Sequence, residues 1–306
     1  MARAKSLKRL TETEAREMLE AIHWPSGAVC PHCGNCDKER IWELKGKATR
    51  AGLYKCKECR KQFTVTVGTI FERSKVPLAD WIYVFHAMCA SKKGVSALQI
   101  SRELSCQYKT AWFMCHRIRY AMNEGPLSQL LSGTVEADET FVGGKPRVGD
   151  ERVKYAKTDK TPVVTLVERG GRAKSRAVTN ITAKTLRAHI DANVAKSSTL
   201  MTDEFKAYKG IAKQFEGGHF TTKHSIGEYA KGANNEIHSN TAESFFSLLK
   251  RGVYGTFHHM SKQHLQRYCD EFDFRWNHRK VTDNERTFTA MQQATGKRLM
   301  YRKPKG

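Results

Sequence analysis

The sequence contains no long apolar run, and no stretch approaches the roughly 18 uninterrupted apolar residues that a membrane-spanning helix requires. The basic N-terminal segment, residues 1–10, lacks the apolar core of a secretory signal peptide. Internal repeats and low-complexity segments are also missing from the sequence. These absences argue against a membrane-spanning, secreted or repeat protein, and they predict a cytoplasmic protein that has no membrane partner.

Acidic residues are scarce relative to basic ones. The 306 residues include 53 Lys and Arg against 31 Asp and Glu, which leaves a formal net charge of +22. The excess is spread along the chain, so a disordered basic tail does not account for it. A folded protein of this charge repels itself unless a polyanion neutralises it, and each phosphate that does so releases a counterion. The composition therefore predicts that the protein binds nucleic acid.

The nine cysteines include two C-x-x-C pairs, Cys30/Cys33 and Cys56/Cys59, with 22 residues between them. In a reducing cytosol such pairs indicate metal ligands before disulfides, and four thiolates at this spacing are typical of structural zinc. Cys36 forms a competing pair with Cys33, although a glycine after Cys33 suits the turn of the first pair. A redox role for one pair would leave the other unexplained. We therefore expect a zinc ribbon whose zinc ion has no open coordination position.

The distribution of apolar residues divides the chain into three predicted domains, residues 1–72, 73–128 and 129–306. The first is the zinc ribbon. The second is helical, and residues 95–122 are typical of a helix-turn-helix with its turn near Ser105. Lys109 and Arg117 would then lie on the second helix and contact DNA. A helical hairpin that only packs against its neighbours is the alternative.

Strand and helix patterns alternate in the third segment, which predicts an α/β layer domain. Alternating or β-branched residues predict strands over residues 134–142, 161–168, 174–181 and 198–202. Amphipathic spacing predicts helices over residues 182–195, 240–252 and 264–277. The charged stretch at residues 145–160 is expected to be an exposed loop.

Three carboxylates in this segment lie at positions that suit a metal site. Asp138 lies within the first strand, Asp203 directly follows the short strand, and Glu243 lies on the helix at residues 240–252. Hard oxygen ligands favour Mg²⁺ or Mn²⁺, and two such ions stabilise the attacking and leaving oxygens of a phosphoryl displacement. Neighbouring acids compete for these roles, because Glu136 shares a strand face with Asp138, and Glu139 and Glu204 adjoin the chosen aspartates. Spacing alone leaves these alternatives open.

A lysine follows the third carboxylate along the same helix. Glu243 and Lys250 are seven residues apart, which is nearly two helical turns, so both project from one face. A lysine about 10 Å along the helix axis from a metal-bound glutamate could hold a DNA phosphate.

Four stretches of the sequence resemble the ISXO2-like DDE transposases, which belong to the IS1595 group of bacterial insertion sequences. They are residues 135–144 (VEADETFVGG), 201–208 (MTDEFKAY), 238–252 (HSNTAESFFSLLKRG) and 262–277 (KQHLQRYCDEFDFRWN). The zinc ribbon and the helical segment also match the family's usual N-terminal layout. The resemblance therefore covers nearly the whole chain.

The resemblance implies an RNase H-like catalytic domain with Asp138, Asp203 and Glu243 as a triad that binds Mg²⁺ or Mn²⁺. Lys250 is then the basic residue after the third acid, and Arg251 beside it is a further expected DNA contact. Some members carry Asn at the third position, and Asn240 lies one turn before Glu243. The implied reaction is hydrolysis at an element end, followed by attack of the new 3′-hydroxyl on target DNA. The implied partners are double-stranded DNA and further copies of the chain.

Two other functions are consistent with parts of the sequence. A zinc-ribbon regulator that binds DNA without catalysis would explain the charge, the cysteines and the helical segment, but it gives the long α/β segment no purpose. A nuclease of the same fold would hydrolyse DNA at the same carboxylates without joining it.

Overall fold

The computed structural model describes residues 10–300, apart from 126–128, 144–159, 209, 212–213, 224–225, 227 and 229. The chain forms two compact units, one within residues 1–91, 95–122 and 281–306, and the other within residues 92–94 and 123–280. The loop expected at residues 145–160 lies outside the described residues, except for Lys160. Within these described ranges, none of the helices has both the length and the apolar character that crossing a membrane demands.

Helices and short strands alternate along the chain. The helices are α1 (Glu12–His23), α2 (Leu78–Ala90), α3 (Ala97–Glu103), α4 (Tyr108–Met122), α5 (Ala183–Asn193), α6 (Asn240–Gly252), α7 (Leu265–Asn277) and α8 (Asp283–Gln292). The strands are β1 (Ile41–Glu43), β2 (Tyr54–Cys56), β3 (Gln62–Phe63), β4 (Thr134–Val142), β5 (Thr161–Glu168), β6 (Ala173–Ala177), β7 (Thr199–Thr202), β8 (His219–Thr221), β9 (Ala230–Lys231) and β10 (Ile237–His238).

The first unit contains a small antiparallel sheet in the order β1-β2-β3. Ile41 pairs with Cys56, and Tyr54 pairs with Phe63. The rings of Tyr54 and Phe63 stack, and Trp24 meets both edge-on at centroid distances of 5.3 and 5.8 Å. This aromatic cluster is small, and a core of this size stabilises a sheet only weakly.

Two helices, α3 and α4, lie in the segment predicted to be a helix-turn-helix, and a short turn joins them. The side chain of Ser96 caps α3 by accepting the backbone N–H of Gln99 at 3.1 Å. The turn follows at Ser105, whose φ of 49° lies in the left-handed region and ends the helix. The predicted position of the turn is thus confirmed.

The last helix, α8, belongs to the first unit, although the sequence-based division placed all of residues 129–306 in one domain. Thr282 and Glu285 form a capping box at its start. It packs against α1 and α2, where the His23 Nε2 atom lies 3.0 Å from the Met291 carbonyl oxygen. Arg286 also donates to the Cys89 carbonyl oxygen at 2.8 Å. Such contacts link residues about two hundred or more positions apart, so local patterns could not reveal them.

The second unit is built on a five-stranded mixed sheet in the order β6-β5-β4-β7-β8. The strands β4, β5 and β6 pair antiparallel, whereas β7 is parallel to β4 and β8 is parallel to β7. A parallel neighbour requires a crossover connection, and α5 supplies it between β6 and β7. The strand β4 therefore lies at the centre of the sheet.

Both faces of this sheet are covered by helices, because alternate residues of the strands are apolar on each side. One face packs against α6 and α7, and its buried residues include Val142, Val163, Phe245, Leu249 and Phe272. The other packs against α5 and the segment after β7, and its buried residues include Ala137, Val164, Leu186, Leu200 and Tyr208. The predicted α/β layer arrangement is confirmed.

A buried polar chain ties α7 to the sheet. The Asp273 carboxylate accepts the backbone N–H of Ser175 at 2.7 Å and its hydroxyl at 2.6 Å. The Ser175 hydroxyl also lies 2.9 Å from that of Thr165. Burial raises the pKa of Asp273 to about 8, because the charged form would lose its hydration.

Substitution of Asp273 should therefore change the pH dependence of stability. The pKa of the folded group lies above its unfolded value, so the stability from its protonated form is lost as pH rises from about 4 to about 8. Asp273→Asn can keep the hydrogen bonds and does not titrate. The melting temperature of the variant relative to the parent, measured by calorimetry, should increase between about pH 5 and about pH 8. An equal difference at both pH values would contradict this prediction, and the exposed Asp191→Asn serves as the control.

Candidate zinc centre and carboxylate site

The four paired cysteines lie together in the first unit. The Sγ atoms of Cys30, Cys33, Cys56 and Cys59 are all within 4.8 Å of one another. Cys30 and Cys59 have their sulfurs 3.6 Å apart, and Cys33 and Cys56 have theirs 3.7 Å apart. A disulfide would need about 2.05 Å. A tetrahedron with metal–sulfur bonds of about 2.3 Å has edges of about 3.8 Å, so the cluster fits a structural zinc ion.

Tight turns aim these thiols at one point. Gly34, with φ of 77°, continues the first knuckle and donates its N–H to the Cys30 carbonyl oxygen at 2.9 Å. The backbone N–H of Cys59 lowers the pKa of the Cys56 thiol to about 7, which favours its thiolate. Burial raises the pKa of Cys30 to about 12, so metal binding there would displace a proton. Cys36 is exposed and stands outside the cluster.

The parallel pairing of β4 and β7 determines where two of the predicted acids lie. Glu136 pairs with Met201, so two residues further along the strands bring Asp138 beside Asp203. Both residues are half-buried. Each carboxylate accepts a nearby backbone N–H, Asp138 from Glu139 at 2.7 Å and Asp203 from Phe205 at 3.0 Å.

A third carboxylate, Glu139, lies on the opposite face of β4, and its pKa is affected by the two aspartates. The Tyr208 hydroxyl donates to its Oε2 atom at 2.8 Å. The pKa of Glu139 is raised to about 7, mainly by burial and also by the charges of Asp203 and Asp138, against the lowering effect of that hydrogen bond. Asp138 and Asp203 are therefore close enough to act electrostatically on one group. Crowded carboxylate oxygens of this kind are the donors that hard divalent cations prefer.

Glu243 lies in the first turn of α6, which packs against β4. Its side chain is exposed, as are those of Asn240 and Lys250 on the same helix. Among the residues that the structure describes, the cysteine cluster is the one group of three or more potential ligands gathered closely enough to hold a metal ion. The strand register therefore sets Asp138 beside Asp203, whereas Glu243 lies on a helix that packs against β4 and is not gathered with the two aspartates as closely as the cysteines are with one another.

Glu136, which the sequence offered as a competing ligand, has both carboxylate oxygens occupied by protein donors. It is fully buried, and it accepts hydrogen bonds from Thr241, Ala242 and Arg169. These partners explain how a carboxylate can be buried on this strand. The sequence showed that Glu136 lies two residues from Asp138 on the same strand face, but it could not show which groups Glu136 binds.

The residues predicted to contact DNA differ in exposure. Lys109 is exposed in the first turn of α4, and Lys250 is exposed on α6. Arg251 is also exposed, and its guanidinium donates to the carbonyl and hydroxyl oxygens of Ser247 at 3.1 and 2.7 Å.

Arg117, by contrast, is only 9% exposed. Its guanidinium donates to the carbonyl oxygens of Ile70, Glu72 and Leu299 at 2.7 to 3.2 Å. These bonds hold α4 to two other segments of the first unit, so its placement favours a structural role. The sequence-based expectation of a DNA contact is corrected accordingly.

Comparison with known proteins connects both sites to one family. Residues 130–277 match the model of the ISXO2-like transposase domain, and residues 10–62 match the model of the transposase zinc-ribbon domain. A Halobacterium salinarum protein in transposable element ISH50 is 30% identical over 280 residues, which cover 87% of this chain and 91% of that protein. The first match contains the whole mixed sheet and ends before α8, in agreement with the division into units.

The cysteine geometry predicts which thiols retain zinc. Cys33→Ser should remove one ligand and lower the zinc content well below one ion per chain, with loss of ordered structure in the ribbon. Cys36→Ser is the matched control, since Cys36 lies three residues away and outside the cluster. Zinc measured by elemental analysis of the dialysed proteins distinguishes the two. If the Cys36 variant lost zinc and the Cys33 variant retained it, the assignment of Cys33 as a zinc ligand would be wrong.

Proposed function

Because the chain belongs to the ISXO2-like transposase family, we propose that it cuts and joins DNA at the terminal inverted repeats of an insertion sequence. One observation carries the assignment of the site. The register of β4 and β7 supports a site in which Asp138, within β4, lies beside Asp203, which follows the parallel strand β7, and the helix that carries Glu243 packs against β4. The mixed sheet with helices on both faces supports an RNase H-like catalytic domain.

Asp138, Asp203 and Glu243 would hold Mg²⁺ or Mn²⁺, for which carboxylate oxygens are suitable donors. When bound, such ions offset phosphate charge and lower the pKa of the attacking hydroxyl group. The side chains themselves supply charge and position. The Tyr208 hydroxyl holds Glu139 on the other face of β4, which leaves Asp138 and Asp203 to face the substrate. Asn240 is the alternative third ligand.

The proposed reaction has two displacements. Water attacks a phosphodiester at the element end, which releases a 3′-hydroxyl. That hydroxyl then attacks a phosphodiester of the target, and a target 3′-hydroxyl leaves as the new bond forms. Neither step needs a covalent enzyme intermediate, so no serine or tyrosine nucleophile is required.

The basic residues are proposed to bind the DNA backbone. Lys250 and Arg251 follow Glu243 on α6, and Lys109 lies in the first turn of α4. The net charge of +22 favours such contacts all along the chain. We further propose that zinc stabilises the ribbon and that at least two copies assemble, because transposition must bring two element ends together.

Substitution of the aspartates tests the active site. Asp138→Asn and Asp203→Asn should each lower cleavage of terminal-repeat DNA with Mn²⁺ by roughly 10³-fold or more, because each removes a charged metal ligand. DNA affinity should remain within a few fold of the parent. Asp191→Asn, at an exposed position of α5, is the control and should cut normally. Normal cutting by both site variants would disprove the assignment.

The same assay separates the other two functions. Binding without cutting or joining by the parent would indicate a regulator, and cutting without joining would indicate a nuclease.

Substitution of Lys250 tests the path of the DNA. Lys250→Ala should weaken binding and reduce the slope of log affinity against log salt by about one, because one phosphate contact is lost. Lys196→Ala removes an equal charge from the same unit, where Lys196 is paired with Asp191 at 2.9 Å. That control should keep the slope of the parent in fluorescence anisotropy titrations. Equal slopes for Lys250→Ala and the parent would exclude the contact.

A further inference from the structure

We propose that Glu136 is a positioning residue, whose buried carboxylate fixes the N-terminus of α6 and thereby the location of Glu243 relative to Asp138. The proposal rests on the proposed function, in which Glu243 is a metal ligand. It assigns to Glu136 a role in the metal site without contact with the metal.

The carboxylate of Glu136 caps α6 from another element. The helix begins after Ser239, whose side chain makes no capping hydrogen bond. Instead, the Oε2 atom of Glu136 accepts the backbone N–H groups of Thr241 at 2.7 Å and Ala242 at 2.9 Å. These are the second and third residues of the helix, which an N-cap side chain normally serves. The negative charge also complements the positive end of the helix dipole.

The other oxygen of Glu136 fixes the approach to the helix. Its Oε1 atom accepts the Thr241 hydroxyl at 2.9 Å and the Nε–H of Arg169 at 2.6 Å. Arg169 in turn donates to the carbonyl oxygens of Glu236 and His238 at 2.6 and 2.8 Å. The ion pair between the buried Glu136 carboxylate and Arg169 therefore holds both the segment that precedes α6 and the first turn of the helix.

This arrangement links two of the proposed metal ligands through a single side chain. Glu136 and Asp138 lie two residues apart on β4 and share the face that α6 covers. Glu243 directly follows Ala242, the second of the two residues whose backbone N–H groups donate to Glu136. A shift or rotation of α6 would move Glu243 away from Asp138. Loss of the carboxylate would leave buried N–H groups unpaired, which favours such a shift.

A double-mutant cycle on Mn²⁺ affinity tests the proposal. Binding to the zinc-loaded, full-length protein without DNA is measured by electron paramagnetic resonance of unbound Mn²⁺. Glu243→Gln should weaken Mn²⁺ binding, and Glu136→Gln should weaken it by about tenfold, as substitutions behind metal ligands do. The double variant should bind Mn²⁺ no more weakly than Glu243→Gln alone, because Glu136 acts through Glu243.

Two further variants separate positioning from general stability. Glu271→Gln makes the same change in another fully buried glutamate, which pairs with Arg275 at 2.5 Å on α7. It should lower the melting temperature while Mn²⁺ affinity stays at the parent value. Thr241→Val removes one hydrogen bond to Glu136 and should weaken Mn²⁺ binding in the same direction, which keeps the test usable if Glu136→Gln folds poorly.

The outcomes separate the two proposals. Parent-like Mn²⁺ affinity in both Glu136→Gln and Thr241→Val, or additive losses in the double variant, would overturn the positioning role and leave Glu243 as a ligand. Parent-like affinity in Glu243→Gln would overturn the proposed third ligand and, with it, this inference.

Discussion

The need to compensate buried carboxylates on one central strand organises the catalytic unit. Burying a charged carboxylate costs several kcal/mol unless hydrogen bonds or an opposite charge replace its hydration. Strand alternation sends the acids of β4 to opposite faces, and each meets a different partner. Glu136 receives the N-terminus of α6 and Arg169, and Glu139 receives the Tyr208 hydroxyl. Asp138 keeps a half-buried position beside Asp203, where an exchangeable cation can supply the compensation.

The two units obtain stability by different means. The catalytic unit buries apolar residues on both faces of a five-stranded sheet, so helices and sheet support each other over a wide area. The ribbon has three short strands and a core of four buried residues, two of which are cysteines. A core of this size contributes little, so a zinc ion bound by the four thiolates would supply much of its folding free energy. The ribbon is therefore expected to need its zinc site in order to fold. The carboxylate site, in contrast, lies on a sheet that its own apolar core stabilises.

Elements with a clear period could be predicted closely from the sequence. The bounds of β4, β5 and α6 agree with the predicted ranges, because alternation and helical spacing persist over their full lengths. Helices α1 and α8 were not predicted, although each begins with Thr-x-x-Glu, the pattern of a capping box. Arg117 was expected at the DNA because arginine on a second helix suits that role, yet three carbonyl oxygens enclose its guanidinium.

The sequence by itself determined the charge of the protein, the cysteine pairs and the positions of the acids in or beside strands, since composition, spacing and periodicity are local properties. Only the tertiary structure decided which acid meets which partner. Glu136 and Asp138 have the same residue spacing and share a strand face, but Glu136 is bound by a helix 105 residues later in the chain, whereas Asp138 lies beside Asp203. Local preferences fix the direction of each side chain along its strand. The segment that covers a given strand face depends on how distant parts of the chain pack. A buried charge on that face is therefore compensated by whichever donor the fold brings to it.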